Sequence, residues 1–438
     1  MNVVFLVGQF PALSETFILN QITGLIERGH AVDIYAEHPA ADVAVHPDVA
    51  RYRLLERTFY EKLPERYLAR AVGVPGRLCP GDSRDVAIRL RALNILEWGR
   101  QAGSLRLFYT ASSFLERRAD YDVMVAHFGA NGLRGAYLRQ IGATRARLVT
   151  AFHGVDLTAY PKEFAPGLYD RLWRTGDLFL PISDRWNGLL ADLGCPLDKI
   201  RVHRMGIDCQ RFAIAAHTRR TAGEPVRFVT VARLVAKKGI EDAIQAVARI
   251  ARAYPALTYD IVGDGPLRGR LQRLIGELAV EGQVTLRGEQ AEAGVRAALR
   301  NAHAFVAPSY TPVDGDIEGM PVAIMEAMAC GLPVLSTRHS GIPELVADGV
   351  TGWLVAERDV VGLSARMAHI IEQPVISADM GRAGRAVVEE HYDIEKLNDV
   401  LSEILAMVNA NSSGAMVSRP SLDGSSSRIG SRNPHRGD

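Results

Sequence analysis

The sequence predicts an α/β protein of two doubly wound, Rossmann-like domains facing each other across a cleft. Three observations carry that expectation. Short runs of β-branched and apolar residues recur, as strands buried on both faces of a parallel sheet require. Segments with helical spacing alternate with them, which favours βαβ units and right-handed crossovers. The alternation falls into two series that meet near residue 210, and 438 residues suit two domains of ordinary size.

Val3–Val7 (VVFLV) is the first strand. A loop with Gly8 and Pro11 follows, then Ser14 as N-cap of a helix with Phe17, Ile18, Ile22, Leu25 and Ile26 on one face. Gly29 is placed as its C-terminal stop, and residues 31–36 form the next strand. Residues 38–120 are harder to read, with a helical stretch at 86–101 and Pro/Gly breaks at 73–81. Alternation returns with strand 122–126, helix 131–140, and strands 147–152 and 178–182. After the polar stretch 211–225, strand 226–232 opens the second series. Strands 258–263, 283–288, 303–307, 333–336 and 352–355 continue it, with helices at 266–278, 291–301 and 321–329 between them. The Ser/Gly/Arg-rich tail 411–438 carries too little apolar surface to fold, so disorder is expected there.

Hydrophobic residues make up 47% and charged residues 23%, with a formal charge of +1. That balance excludes a nucleic-acid binder held by bulk charge. Local charge is less even. From Arg51 to Arg118, 14 Lys or Arg stand against 7 Asp or Glu, leaving +7. This region reads either as a solvated face or as a surface for anionic lipid or a pyrophosphate-linked acceptor. Cys79, Cys195, Cys209 and Cys330 form no C-x-x-C pair, which disfavours zinc ribbons and disulfide scaffolds. No apolar run is long enough to span a bilayer, and the N-terminus lacks a basic n-region. A cytoplasmic protein, peripheral at most on the inner membrane, is expected.

Ligands in open parallel sheets sit beyond the carboxyl ends of strands, and the candidate chemistry falls there. Arg233–Gly239 (RLVAKKG) puts cations in a strand-to-helix loop, suited to a diphosphate and to charge developing on a leaving group. Gly263 and Gly265, in GDGP, allow close backbone approach. No G-x-G-x-x-G follows either first strand, which disfavours a nicotinamide enzyme. In DIEGMPVAIMEAMACG, Glu318 lies in the loop and Gly319, Met320 and Pro321 lead into a helix whose N-terminus favours anions. Glu326 sits among apolar residues and needs a partner, for which a ribose diol or a structural salt bridge would serve. Asp314 and Asp316 form a D-x-D pattern without a third carboxylate, so they read as loop residues rather than metal ligands. His127 and His153 each follow a strand and stand beside a glycine-containing loop, where a histidine can bond a ligand or serve structure alone.

Together these segments resemble the GT-B glycosyltransferases, specifically the retaining family four (group 1). The anchors are RLVAKKG, GDGP, EGMPVAIMEAMACGLPVLST and GIPELVADGVTGWLV. The opening GQFPALSETFILNQI and the DGDIEGMP loop are similar to the exopolysaccharide, colanic-acid-type branch. The resemblance implies an acceptor domain over 1–210, a nucleotide-sugar domain over 211–393, and a helix at about 394–409 that crosses back. It implies that Arg233 and Lys238 bind the donor diphosphate and that Glu326 holds the ribose. Glu318 and the backbone at Gly319, Met320 and Pro321 would bind hydroxyls of the donor sugar. His153 would lie beside the transferred sugar, and Gly8 with His127 would lie on the acceptor side. No metal and no cofactor are implied; the donor is a UDP- or GDP-sugar and the acceptor a saccharide or lipid-linked oligosaccharide. A sugar-nucleotide epimerase and a non-catalytic binding subunit are the alternatives on this fold.

Overall fold

A computed structural model describes residues 1–12, 15–40, 46–78, 82–117, 119–154, 156–158, 160–164, 166–214 and 224–410. Ser14, Cys79, the tail from 411 and residues 215–223 of the expected polar stretch lie outside the described residues.

Two six-stranded parallel sheets organise the chain. The first contains β1 (Asn2–Phe10), β2 (Ala31–Pro39), β3 (Thr58–Tyr60), β4 (Val123–His127), β5 (Arg147–Phe152) and β6 (Leu178–Pro181). The second contains β7 (Arg227–Val231), β8 (Thr258–Val262), β9 (Val284–Gly288), β10 (Ala304–Ala307), β11 (Val334–Thr337) and β12 (Gly352–Val355). Their spatial orders are β3-β2-β1-β4-β5-β6 and β12-β11-β10-β7-β8-β9, the same doubly wound topology twice. The strand order reverses between β1 and β4 in one sheet and between β7 and β10 in the other. Strand β1 shows why its sequence is continuously apolar: Val4 and Leu6 enter one buried cluster, and Val3, Phe5 and Val7 enter another.

The sheets are joined by two chain crossings that are zipped together. Ile207 donates its N–H to the Tyr392 carbonyl, and Ile394 returns an N–H to Ile207. Arg385 bonds the carbonyls of Cys209 (2.9 Å), Phe212 (2.5 Å) and Ala329 (2.6 Å), pinning this junction to the second sheet's helices. The last described helix, Ile394–Ala410, then packs on helix Thr16–Glu27 of the first half. Asn398 bonds the Asn20 carbonyl at 3.2 Å, and Arg28 pairs with Glu395 and Asp399.

Four local readings need correction. Gly8 lies within β1, which runs on to Phe10, and not in a following loop. The 73–78 stretch is no break: helix Tyr67–Leu78 runs through Gly73, Pro75 and Gly76. Its own Arg70 side chain bonds the carbonyls of Pro64, Ser104 and Glu65, and the Tyr109 hydroxyl donates to the Arg70 carbonyl, anchoring the helix to its surroundings. The expected helix 86–101 is three pieces, Ser83–Arg91, Ile95–Trp98 and Arg100–Gly103, the last two separated by Gly99 at φ +50°. Strand β3 is an element the sequence pattern does not reveal.

Candidate active site

On the first half, the loops after β4 and β5 are drawn together by Asp156. Its carboxylate accepts the N–H groups of His153 (3.1 Å), Gly154 (2.8 Å) and Gly129 (3.2 Å). Burial pushes that carboxyl up to about 6, although those three donors pull the other way. His127 is buried and His153 half-buried, and the two rings stack at 5.1 Å, with His127 Nδ1 2.9 Å from His153 Nε2. Phe17 and Phe128 pack against the His153 ring at 4.6 and 4.8 Å. Burial, followed by the charge of His203, drives His153 down to about 3, and burial likewise drives His203 down to about 4. His127 is lowered as well, first by burial and then by His153 and His203. These rings are neutral hydrogen-bonding groups at physiological pH. At Gly8, on the neighbouring strand end, an added Cβ would meet nothing within 4 Å.

On the second half, the loops after β7, β8 and β10 meet at the switch point. The β7 loop is shaped by close backbone approaches. A Cβ at Gly239 (φ +62°) would lie 1.9 Å from the Pro308 carbonyl oxygen, and one at Gly263 (φ +137°) 1.9 Å from that of Ala232. Gly265 also lies close to Leu234, where an added Cβ would be 2.7 Å from the Leu234 carbonyl oxygen. These glycines pack the β7, β8 and β10 loops against one another. Lys238 Nζ stands 2.5 Å from the Glu318 carboxylate, and Lys237 stands 2.9 Å from Asp316. Arg233 is solvent-exposed on the same loop. Burial raises the Glu318 carboxyl, but Lys238, by charge and hydrogen bond, and then Lys237 outweigh it and hold that group below the usual range.

Asp314 accepts the Asp316 N–H at 3.0 Å and Asp316 is held by Lys237, so the D-x-D pair is engaged within its own loop. Met320 is buried, and Pro321 is the N-cap of helix Val322–Ala329. Ile324, Met325, Ala327 and Met328 bury most of that helix, leaving Glu326 half-buried at the edge of the apolar strip. Its carboxyl is pushed up to about 7, first by burial and then by Glu292. Glu292 in turn lies 3.2 Å from His46 Nε2 and 3.7 Å from Arg211.

The two halves touch at the site. An added Cβ on Gly319 would lie 2.4 Å from the His153 carbonyl oxygen, and one on Gly154 would lie 3.6 Å from the Gly319 Cα. Glu344 reaches across as well. Its carboxylate accepts the N–H groups of Asp184 (3.0 Å) and Arg185 (2.9 Å) at the N-terminus of helix Asp184–Asp192. His127 and His153 thus lie together on one side, and Lys238, Glu318 and the glycine loops together on the other, meeting at Gly319. Asp156, His203, Glu344 and His339 are site-lining residues that sequence reasoning passed over. Asp156 and His339 do fall in loops just after strands, the position that flagged their neighbours.

Two Rossmann-like sheets whose loops meet through glycine contacts, with cations and carboxylates at the second sheet's switch point, define a GT-B glycosyltransferase architecture. Residues 14–211 match the model for Glycosyltransferase Family 4, and residues 216–387 that for Glycosyl transferases group 1. The chain is 38% identical over 413 residues to the putative colanic acid biosynthesis glycosyltransferase WcaL of Salmonella typhimurium, covering 93% of this chain and 100% of that one. It is 36% identical over 416 residues to the amylovoran biosynthesis glycosyltransferase AmsK of Erwinia amylovora, covering 92% and 99%. The chain belongs to the group 1, family 4 glycosyltransferases. The Anabaena protein HepE, solved in complex with UDP and glucose, shares the fold at a TM-score of 0.69 and 19% identity, over 93% of this chain and 100% of that one.

Proposed function

We propose that the chain moves a hexosyl group from a UDP- or GDP-sugar to a saccharide or lipid-linked oligosaccharide acceptor in exopolysaccharide biosynthesis, with retention of anomeric configuration and without a metal. The carrying observation is the Lys238–Glu318 pair at the β7/β10 switch point, with Arg233 on the same loop. A diphosphate arriving there takes over Lys238 and releases the Glu318 carboxylate to accept hydroxyls of the sugar. The names of WcaL and AmsK support the pathway, and the UDP and glucose of HepE support the donor class.

In this reading the bond from C1 of the sugar to the diphosphate oxygen breaks as the acceptor oxygen bonds C1 on the same face. The acceptor's proton passes to the departing phosphate oxygen. Arg233 and Lys238 stabilise charge developing on that phosphate. Glu326 holds the ribose hydroxyls, and no side chain serves as nucleophile. His153 lies beside the sugar, with Gly8 and His127 toward the acceptor. Gly263, Gly265, Gly319, Met320 and Pro321 supply backbone to the donor.

Membrane contact through the basic 51–118 region belongs to the same reading, with the protein on the cytoplasmic face. No described helix is long and apolar enough to cross a membrane. Helix Tyr67–Leu78 nonetheless exposes Tyr67, Leu68 and Val72 beside Arg66. Flotation with phosphatidylglycerol vesicles, lost in Leu68→Glu, tests this; equal flotation of the variant discards it.

The decisive experiment measures nucleotide release from UDP-glucose, UDP-galactose, GDP-mannose and ADP-glucose, without acceptor, for wild type and Glu326→Ala. Slow release from one donor, lost in the variant, is expected. Release of an epimerised sugar nucleotide would point to an epimerase. Absence of both turnover and nucleotide binding would make the non-catalytic reading the leading one. Activity surviving EDTA is also expected; loss restored by magnesium would return a metal role to Asp314 and Asp316.

A further inference from the structure

The loop that carries Glu318 runs from Pro308 to Pro321 without regular secondary structure, between β10 and helix Val322–Ala329. A loop of that length needs external anchors to hold one geometry. It has them in a pair of residues just past β11 and β12. Glu357, just past β12, accepts the Thr311 N–H at 2.9 Å with one carboxylate oxygen. Its other oxygen lies 2.6 Å from Nδ1 of His339, just past β11. Nε2 of His339 then lies 3.2 Å from the backbone nitrogen of Glu318.

The chemistry of this chain of bonds fixes its proton. A backbone N–H can only donate, so Nε2 of His339 is the acceptor and carries no hydrogen. The imidazole is therefore the neutral tautomer with its proton on Nδ1, directed at Glu357. His339 is only 1% exposed, so Glu318 has no water to replace that acceptor. Ser340, the next residue, is held at φ +48°, a conformation a non-glycine residue keeps only when its surroundings demand it. Thr337, two residues earlier, bonds the Ser309 carbonyl at the start of the same loop. The end of β11 and the residues just past it thus fasten both ends of the loop.

We propose that His339, oriented by Glu357, is a positioning residue for donor-sugar recognition: it fixes the Glu318 backbone so that the Glu318 carboxylate meets the sugar hydroxyls. The inference rests on the transferase reading for the sugar, and on the bonds above for the positioning. His339 touches the loop backbone and has no assigned contact with the reacting atoms.

The test separates those two footings. Amide exchange across residues 312–322 is followed in the full chain for wild type, His339→Asn and His339→Gln. Asparagine is too short to reach Glu318, whereas the glutamine carbonyl can take the place of Nε2. In His339→Asn the Glu318 amide should exchange at least ~10-fold faster, with β11 and helix Val322–Ala329 unchanged as folding controls. In His339→Gln most of the protection should return. Binding of UDP-glucose, UDP-galactose and GDP-mannose is measured beside that of free UDP and GDP. The nucleotide sugar that wild type binds should weaken by about 10-fold in His339→Asn, while the free nucleotide stays within about two-fold. Unchanged exchange at Glu318 overturns the positioning role. Equal weakening of free nucleotide and nucleotide sugar overturns the role in sugar recognition. If wild type binds none of the three sugars, the transferase reading and the recognition role both fall, and exchange alone decides whether His339 holds the loop.

Discussion

Lys238 and Glu318 stand 2.5 Å apart on loops from two different strands of the second sheet, each the other's counter-charge. Their pairing leaves neither charge uncompensated in a buried place, where an unpaired carboxylate is costly. It also makes the β7 and β10 loops interdependent, because a ligand that draws on Lys238 changes what Glu318 must bond.

Replacing Lys238 or Arg233 by alanine should therefore lower turnover by at least ~10²-fold, comparable to loss of one donor in an oxyanion hole. Lys238→Ala should also raise the Glu318 carboxyl, since Lys238 leads the influences that hold it down. Steady-state kinetics on the donor identified by nucleotide release would check this. Wild-type turnover in either variant removes these cations from the chemistry.

Glu326 offers a test that separates binding from stability. Its folded carboxyl titrates at about 7 against 4.5 for an unperturbed glutamate. A raised acid stabilises the fold least when ionised, so its contribution falls as pH rises above about 4.5 and reaches its minimum past about 7. Glu326→Gln should thus gain of order 1–3 kcal/mol over wild type at pH 8 and much less at pH 5. Nucleotide affinity should fall in the same variant. Urea unfolding at the two pH values, with titration of UDP and GDP, reads both effects. A variant equally stable relative to wild type at both values contradicts the burial account.

The three histidines grouped around His153 make the opposite prediction on the acid side. His127, His153 and His203 are all depressed from 6.5, so their contribution is complete above that pH and is lost as pH falls toward about 4 and about 3. Asp156, raised to about 6, works in the other direction and cancels part of the loss between 4 and 6. Unfolding free energy should still decline with falling pH, and His203→Gln should flatten that slope by up to ~1.4 kcal/mol per pH unit. An unaltered slope in His203→Gln would show that this ring does not take up the proton.

Gly319→Ala probes the contact between halves. The added methyl lies 2.4 Å from the His153 carbonyl oxygen, a distance that forces backbone to move. Displacement of this kind at a reacting centre costs ~10²-fold in rate, so kcat/KM should fall at least ~10-fold. Small-angle scattering should show a larger radius of gyration in the variant. If rate and radius both match wild type, the close approach does not set the working geometry.

The sequence discloses what depends on local pattern. Most strands of the two sheets stand out because they are apolar on two faces, as Val3–Val7 illustrates, and the glycine loops stand out because they follow those strands. Helix Tyr67–Leu78 is hidden because part of its support comes from bonds to distant residues, Arg70 to the Ser104 carbonyl and Tyr109 to the Arg70 carbonyl, which helix propensity cannot register. Strand β3 is three residues long, too short for any periodicity to show. At the site, Lys238 and Glu318 can be singled out by residue type and loop position. The relay from Glu357 through His339 to Glu318 joins residues up to 39 positions apart and exists only once β10, β11 and β12 lie side by side.

Helix Ile394–Ala410 contributes Leu401, Ile404, Leu405 and Val408 to the same apolar cluster as Val3, Phe5, Ile18 and Ile22. The first domain to leave the ribosome is therefore among the last to be finished. Its opening strands wait, with one flank uncovered, until most of the chain has been made. A product truncated anywhere before Leu401 carries an exposed sticky face, the kind of surface chaperones bind and aggregation exploits. The same arrangement ties assembly to completeness: a chain able to bury its N-terminal core already possesses its whole second domain.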